Sequence, residues 1–397
     1  MDAADRLPEA ADVTIVGGGI IGTSTAYFLS TETDLDVLLV ERDAIASGST
    51  GDSSAIIRHH YGGDAIYSEL AAWSHEFYRN FEAETGEAIA YEPNRLVRMG
   101  EAGAESGDYA DAGYEVLEDL DIPVSRYEGQ ELETEFPMLN LDGIDFAVED
   151  ETAAYSDATD VAGGFARAAQ NEGATVVTGV TVDGFAVEDD AVTAVETDAG
   201  RVETDDVLLA AGPWTPDLAE KVDVDVPIRR EREQIILLEP SDEFVAEEYD
   251  MLPTTSRPGV FWYMRPDFND GVLIATHYRG EEVDPDAYKR DPDQEILLEL
   301  VDEIEDFVPG LTDAKLRGEY CGVYSNTPDR DFILDQIGPQ GFHVACGFSG
   351  HGFKHGPSMG KVLSDMVAEG DTDLTDLSYF SMDRFEDNPE GHEGGTR

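Results

Sequence analysis

The sequence predicts an α/β protein of two interleaved domains, one built on a parallel sheet and the other on an antiparallel sheet. A β-branched run at 12–16 ends in glycines, is followed by helix-like periodicity and leads to a second apolar run at 36–40, which is typical of a βαβ unit. Residues 228–280 alternate between apolar and polar positions, as antiparallel strands do. The apolar run at 207–211 again ends at a glycine, which places it with the first domain.

The predicted domains are discontinuous. The first domain consists of residues 1–85, 150–220 and 312–375, and the second consists of residues 86–149 and 221–311. Residues 386–397 are predicted to be a disordered tail, because they are polar and offer little surface to bury.

The first half of the chain alternates helices with short strands. A helix is predicted over 64–85, where aromatic residues recur on one face, and another over 155–173. Strands at 180–187, 191–197 and 200–203 follow as a β-meander.

The second half begins with the antiparallel sheet. Its strands are predicted at 234–238, 260–264 and 271–275, and a helix over 291–307 closes the section. A hairpin over 332–345 then leads into a glycine-rich segment.

Composition excludes several kinds of partner. The 397 residues include 87 acidic and 25 basic side chains, which give a formal net charge of -62. Such a field repels nucleic acid and anionic membranes. The acidic residues are dispersed and 41% of the chain is hydrophobic, which indicates a folded protein with a carboxylate-covered surface. We expect a halophilic protein from a cytoplasm with molar salt, where the Debye length is ~3 Å.

The number of cysteines and the length of the apolar runs narrow the possible classes of protein further. Cys321 and Cys346 cannot form a disulfide framework, and no metal-ligand spacing surrounds them, so no metal is predicted. The N-terminus lacks a basic-then-apolar signal, and no apolar run is long enough to span a bilayer.

A dinucleotide site is predicted at the first βα turn. Gly17, Gly19 and Gly22 form a G-x-G-x-x-G pattern that opens a helix, and Glu41 follows about twenty residues later. The glycines allow pyrophosphate to approach the backbone, and the glutamate accepts hydrogen bonds from a ribose, which favours NAD or FAD over NADP. Because the domain is interrupted, we expect FAD; an NAD dehydrogenase with insertions is the alternative.

The segment 347–354 reads Gly-Phe-Ser-Gly-His-Gly-Phe-Lys and precedes an amphipathic stretch predicted to be helical from about 354 to 368. Lys354 is therefore predicted in the first turn of a helix, where N–H groups attract anions and a cation is unfavourable. A small carboxylate ligand accounts for this lysine. The alternative is a side chain that points into solvent.

With these motifs the chain resembles the D-amino-acid-oxidase-like flavoprotein superfamily, and within it the branch of monomeric sarcosine oxidases and N-methyl-amino-acid oxidases. The resemblance covers nearly the whole chain. The matching segments are the N-terminal glycine motif, Gly48 and Ser49, and the runs 56–62, 210–214, 324–329 and 347–354. It implies a Rossmann-type, GR2-like FAD domain interleaved with an antiparallel-sheet substrate domain.

The resemblance also assigns residues to the cofactor. These are Gly17, Gly19, Ile20, Ile21, Gly22, Glu41, Arg42, Ser49, Thr50, Ser54, Ala55, Ile56, Val180, Ala211, Gly212, Trp214, Gly347, Ser349, Gly350, His351, Gly352, Phe353 and Lys354.

Arg58 and Lys354 match the two cations that hold the substrate carboxylate in this branch, and Tyr61 and Tyr263 are expected to wall the pocket. The implied reaction is oxidation of the C–N bond of a sarcosine-like amino acid by hydride transfer to FAD, followed by hydrolysis of the imine. Two cations on one carboxylate would orient the reacting C–H bond. The alternative for Arg58 is a surface ion pair.

Two departures from the branch change its chemistry. The cysteine that attaches FAD covalently corresponds to Gly322, and Cys321, one residue earlier, points to the opposite face of a strand, so FAD is expected to bind non-covalently. The lysine that promotes reaction with oxygen corresponds to Leu273, which cannot stabilise superoxide. A dehydrogenase that uses a quinone or an electron-transfer flavoprotein is therefore favoured over an oxidase.

A third departure concerns the other face of the flavin, where Gly51 and Ala55 replace a histidine and an arginine. Histidines that could substitute are His59, His60, His277 and His351. Two other functions stay open: a D-amino-acid or hydroxy-acid dehydrogenase of the same superfamily, and a flavin-binding assembly protein without turnover.

Overall fold

The computed structural model describes residues 7–277 and 280–390 and confirms the predicted α/β class. The described helices are Ile20–Glu32, Ala65–Arg79, Phe81–Thr85, Glu105–Asp119, Gly129–Glu135, Ala158–Asn171, Thr215–Ala219, Asp242–Glu247, Gln294–Phe307, Gly356–Glu369 and Arg384–Asp387.

The first sheet has eight strands. Its main order is Val182–Glu188, Ala191–Thr197, Gly200–Leu209, Ala10–Val16, Val37–Glu41 and Thr175–Thr178. Phe342–Cys346 also pairs with Gly200–Leu209, and Ile333–Gln336 pairs with Phe342–Cys346. The helix Ile20–Glu32 packs against Ala158–Asn171 and Gly356–Glu369. Ala10–Val16 pairs in parallel with both of its neighbours, so the carboxyl ends of these strands meet at one edge.

The second sheet also has eight strands and is mostly antiparallel. Its order is Lys315–Asn326, Arg229–Glu239, Gly271–Thr276, Trp262–Asp267, Thr254–Ser256, Leu96–Gly100, Phe146–Asp150 and Val124–Glu128. A small third sheet joins Ile56–Ile57, Ala154–Ser156 and Tyr91–Pro93.

Two predicted elements differ from the structure. The separate strands at 200–203 and 207–211 are one strand, Gly200–Leu209, because the acidic stretch between them stays paired with Ala10–Val16. The last long helix begins at Gly356, after a turn in which the Gly356 N–H donates to the Phe353 carbonyl at 2.9 Å. Lys354 therefore lies before the helix, and its placement in the first helical turn was wrong.

The domain division stays a prediction, with one boundary moved. Lys315–Asn326 pairs with Arg229–Glu239 along most of its length, so the second domain extends past residue 312 to the end of this strand. The helix Arg384–Asp387 reaches into the predicted tail, and residues 391–397 of that tail lie outside the described residues.

Neither a membrane span nor a metal centre is found in the described part of the chain. No helix within 7–277 and 280–390 has the length and apolar character needed to cross a bilayer. The same residues contain no group of three or more His, Cys, Asp or Glu side chains that could hold a metal ion.

Candidate active site

A cleft of about 780 Å³ lies at the carboxyl edge of the first sheet. Residues at or just beyond the carboxyl ends of its parallel strands line this cleft: Gly17, Glu41, Val180, Ala211 and Gly347. Ligands of open α/β sheets bind at this edge, so the topology assembles a nucleotide-sized site from distant segments.

The glycine turn is shaped for close approach of a ligand. Gly17 has φ 117°, and a Cβ there would lie 2.4 Å from the Ala210 carbonyl oxygen. A Cβ on Gly22 would lie 2.0 Å from the Gly17 carbonyl oxygen, so this residue supports the turn from below and does not line the cleft. The backbone therefore forms a cradle that side chains would fill.

Glu41 and Thr50 hold the turn in place. The Glu41 carboxylate accepts from the Gly18 and Asp43 N–H groups, each at 2.7 Å, and the Ile20 N–H donates to Thr50 Oγ1 at 3.0 Å. A carboxylate has further lone pairs for ribose hydroxyls. These residues fit the adenosine half of FAD.

Most residues predicted to hold FAD line this cleft. They are Gly17, Gly19, Ile20, Ile21, Glu41, Arg42, Ser49, Thr50, Ser54, Val180, Ala211, Gly212, Trp214, Gly347, Ser349, Gly350, Gly352 and Phe353. At its rim, the Arg42 guanidinium lies 4.5 Å from the Trp214 ring, and both side chains donate to Asp286. Ala55 and Gly51 do not line the cleft.

The strand Lys315–Asn326 places Gly322 and not Cys321 on the cleft wall. A Cβ at Gly322 would lie 2.8 Å from the Asp52 Cβ, so Asp52 occupies the space of a side chain there. Burial, opposed by Arg290, raises the pKa of Asp52 to about 6. Cys321 is buried on the other face, where burial raises the pKa of its thiol to about 11. A thiolate is therefore absent from this wall.

A smaller cavity of about 60 Å³ adjoins the cleft. The two share the wall residues Ser54, Glu233, Tyr263, Tyr324, Ser349 and Gly350. We call the smaller space the inner cavity. Arg58 and Lys354 both line it, together with Ile56 and His351, which had been predicted on the cofactor.

Arg58 is held by its neighbours. It is 5% exposed, its guanidinium lies 4.2 Å from the centre of the Tyr61 ring, and it donates to the His60 carbonyl. Tyr61 is fully buried behind it, with its hydroxyl 2.8 Å from His355 Nε2, and lines neither cavity. The prediction that Tyr61 walls the pocket was wrong, because the ring supports Arg58 from behind.

Lys354 is 8% exposed and donates to the Gly350 carbonyl at 3.4 Å. Burial, then the charges of Arg58 and Arg98, lower its pKa well below the usual value. Within 7–277 and 280–390, neither Lys354 nor Arg58 has a carboxylate within 4.0 Å. An anionic guest would therefore compensate both side chains.

Tyr263 lies on the wall shared by both cavities, and its contact with substrate stays a prediction. Its hydroxyl donates to Ser54 Oγ at 2.8 Å, and its ring centre lies 4.8 Å from that of His277. Tyr324 and Asn326, two and four residues after Gly322, also line the inner cavity. Period-two alternation puts all three on one face of the strand.

The four candidate histidines separate into two pairs. His277 and His351 line the inner cavity, and burial, followed by nearby cations, lowers the pKa of His277 to about 3 and that of His351 well below its usual value. Both imidazoles are therefore neutral near pH 7 and can serve as hydrogen-bond partners in the cavity. His59 and His60 line neither cavity; His59 is 2.7 Å from His75 and contacts Asp150.

Several inner-cavity residues were missed in the sequence, notably Arg98, Glu231 and Glu233. Arg98 is a charge within the otherwise apolar strand Leu96–Gly100, which is a signal that could have been used. The two glutamates lie in an Arg-Glu run that resembles a solvated face.

Leu273 is buried against Ile235, Ala275 and Tyr263, and Ala275 is the residue of its strand that lines the cleft. The cations among the described residues of the cleft wall are Arg42, Lys221 and Arg290. None of them belongs to the strand Gly271–Thr276, where the branch has its lysine.

Comparisons with known proteins agree with the motifs. The family described as FAD dependent oxidoreductase (DAO) matches residues 12–366. Monomeric sarcosine oxidase of Bacillus sp. (strain B-0618) is 29% identical over 383 residues, covering 94% of this chain and 96% of that protein. N-methyl-L-tryptophan oxidase of Yersinia pestis (strain Pestoides F) is 23% identical, covering 94% and 99%.

A solved structure confirms the fold. The crystal structure of L-proline dehydrogenase from P. horikoshii superposes with a TM-score of 0.86 at 23% identity, covering 96% of this chain and 99% of that one. The family match spans most of the chain, and the resemblance seen in the motifs is confirmed. The chain belongs to the family of FAD-dependent oxidoreductases related to monomeric sarcosine oxidase.

Proposed function

We propose that this protein oxidises the C–N bond of a small secondary or N-methyl amino acid with FAD as the electron acceptor. The observation that carries the proposal is the position of Arg58 and Lys354 on one cavity that adjoins the cofactor cleft. Both are buried cations without a carboxylate partner among the described residues. A substrate carboxylate supplies that partner.

The chain's own groups orient the substrate. A guanidinium and an ammonium on one carboxylate fix its plane, and the remainder of the substrate then points to the wall shared with the cleft. Burial and nearby cations lower the pKa of His277 and His351, so both imidazoles stay neutral and can hydrogen-bond the substrate nitrogen, which must be a neutral amine for hydride transfer. When bound, FAD supplies a two-electron acceptor for the hydride.

The size of the inner cavity supports a small substrate. A volume of about 60 Å³ compares with ~10–15 Å³ for one water molecule by the same measure. That is room for a short amino acid and not for a large side chain. Water that enters afterwards hydrolyses the imine product.

We further propose that the protein is a dehydrogenase with non-covalently bound FAD. Leu273 and Ala275 give the strand Gly271–Thr276 an apolar surface where a cation would promote reaction with oxygen. A quinone or an electron-transfer flavoprotein would then reoxidise the flavin. Non-covalent binding is supported by Gly322, which has no side chain to attach the ring.

The test is an anaerobic titration of the purified holoprotein with sarcosine, L-proline, D-alanine and a 2-hydroxy acid. We expect the secondary amines to bleach the visible flavin absorbance. Bleaching by D-alanine or the hydroxy acid alone would replace the proposal with a D-amino-acid or hydroxy-acid dehydrogenase. A flavin that none of the four reduces would indicate a binding protein without turnover.

A further inference from the structure

We propose that Arg98 forms a second anion subsite in the inner cavity, so that the substrate is a secondary amine with two carboxylates on short arms. The inference deepens the proposed function and rests on it. It concerns the part of the substrate that Arg58 and Lys354 do not bind.

The strand Leu96–Gly100 places Arg98 in the cavity. The flanking residues Val97 and Met99 point to the opposite face, where they are buried in the core of the second domain. Leu96 and Arg98 share the other face and line the inner cavity with Arg58 and Lys354. Arg98 is therefore held on a rigid central strand and not on a surface loop.

Arg98 has no carboxylate in contact within the described part of the chain, and the charge of the buried Asp150 acts on it from beyond 4.0 Å. Its Nε is buried without a hydrogen-bond partner, and no carboxylate lies within 4.0 Å of its guanidinium. Burial, then the charge of Arg58, lower the pKa of Arg98 to about 10. Arg98 is half-buried, and its guanidinium lies 5.8 Å from the centre of the Tyr109 ring. That ring does not replace a carboxylate for a partly desolvated guanidinium, so an anionic ligand accounts for the residue better than a structural role.

Arg95, three residues earlier, shows what this chain does with a structural arginine. Its guanidinium contacts both Glu135 and Glu149 and donates to the Met251 carbonyl at 3.1 Å. In a protein with 87 acidic residues, a carboxylate partner is readily available. Its absence beside Arg98 therefore points to a partner that comes from outside.

The charges on the described cavity wall favour a dianion. Arg58, Arg98, Arg330 and Lys354 face two carboxylates, Glu231 and Glu233. Asn326 and Arg229 bond Glu231 at 2.6 and 3.3 Å, and Thr276 donates to Glu233 at 3.2 Å, so both acids have partners outside the Arg58, Arg98 and Lys354 group. One substrate carboxylate can pair with Arg58 and Lys354, and a second carboxylate would give Arg98 its partner.

The group on the second arm is a carboxylate because of its shape and size. A guanidinium pairs with carboxylate or phosphate through two parallel hydrogen bonds. The small volume of the inner cavity favours the smaller, planar group. The second carboxylate can be attached to either arm of the amine. Iminodiacetate is sarcosine with a carboxylate added on the nitrogen substituent. N-methylaspartate is N-methylalanine with a carboxylate added on the side chain.

The experiment compares kcat/KM within each of these two pairs for the native holoenzyme. We expect the dicarboxylate of at least one pair to be preferred by about tenfold to 100-fold. In Arg98→Gln this preference should disappear, and Arg98→Lys should recover part of it. Arg95→Gln is the matched control, since it removes the same charge from a residue that lines neither cavity, and its preference should stay at the native value.

Native enzyme that prefers the monocarboxylate in both pairs would overturn the proposal without any variant. The proposal would also be overturned if Arg98→Gln lowered kcat/KM by the same factor for both members of a pair, since a structural defect has that result. Binding of oxydiacetate and methoxyacetate, measured by calorimetry on the holoprotein, separates this proposal from the proposed function. These ethers lack the amine, so tighter binding of oxydiacetate that depends on Arg98 supports the subsite even if no amine is oxidised.

Discussion

The cofactor cleft and the inner cavity adjoin each other but are built by different means. The cleft is formed largely by backbone and small residues at the ends of parallel strands, such as Gly17 and Gly347. The inner cavity is formed by charged side chains from separate segments, such as Arg58, Arg98 and Lys354. A site built from backbone can be recognised from a local sequence motif, whereas a site built from side chains of separate segments depends on the whole topology.

Their electrostatics differ in the same way. In the cleft, Arg42 pairs with Asp43 and Asp286, and Glu41 accepts two N–H groups. In the inner cavity, two described cations, Arg58 and Lys354, have no carboxylate partner within the described part of the chain. These polar groups of the cleft are therefore satisfied by the fold itself, while the inner cavity would be completed by the proposed anion.

The largest expected effect comes from removing either of these cations. Arg58→Ala and Lys354→Met should each lower kcat/KM for the amino-acid substrate by roughly 30- to 4,000-fold, which corresponds to the loss of about 2–5 kcal/mol from a desolvated charge contact. The affinity for FAD should change far less, because the cleft is separate. Steady-state kinetics and flavin titration measure the two quantities.

Lys361→Met is the matched control for the lysine variant. Lys361 lies on the helix that follows Lys354, bonds Glu32 and Asp365 at 2.7 Å each, and lines neither cavity. Its kcat/KM should stay near the native value. Normal turnover by Arg58→Ala or Lys354→Met at low substrate concentration would contradict the carboxylate contact.

A smaller effect is expected at Leu273, which packs against the wall residues Ala275 and Tyr263. Reduced native enzyme should react slowly with oxygen, and Leu273→Lys should accelerate that reaction by ~10- to 1,000-fold, the range typical of one added electrostatic contact to a developing anion. Stopped-flow reoxidation in air measures both rates. Ala275→Ser, a polar change without charge on the same strand, is the control. Rapid peroxide formation by native enzyme would favour an oxidase.

The smallest expected effect is on stability. Lys354→Met should stabilise the substrate-free holoprotein by roughly 1–3 kcal/mol, because it removes buried donors that lack partners. Burial and the neighbouring Arg58 and Arg98 lower the pKa of Lys354 in the folded protein well below its usual value. At a pH between this lowered pKa and the pKa of the lysine in the unfolded chain, the unfolded chain binds a proton that the folded protein lacks. Native stability therefore rises with pH across this window.

The gain from Lys354→Met should accordingly be full below the lowered pKa of the lysine and shrink as the pH rises toward the value of an unfolded lysine. Denaturant unfolding at several pH values tests this, with Lys361→Met as control. A variant less stable than native at every pH would mean that Lys354 is compensated within the fold.

The sequence was most informative where chemistry and local conformation coincide. Gly17 needs φ 117° and space for a ligand, and Glu41 follows at a fixed spacing, so the cleft could be predicted from one βαβ unit. The positions of Arg98 and Glu233 on one cavity could not be predicted in this way, because they depend on how the strands of the second sheet are ordered. Tyr61 was misassigned since an aromatic residue beside a functional arginine can face the substrate or support the arginine.

The strand Lys315–Asn326 carries Gly322 at the cleft and Asn326 at the inner cavity, with Tyr324 on the wall between them. Alternate residues of a strand are spaced by ~6–7 Å, and pairing with Arg229–Glu239 keeps that spacing rigid. If the proposed substrate and FAD occupy the two cavities, this backbone geometry would set the distance between the oxidised carbon and the electron acceptor. Under the same proposal, substitutions at Arg98 and its neighbours would change substrate preference without changing that distance.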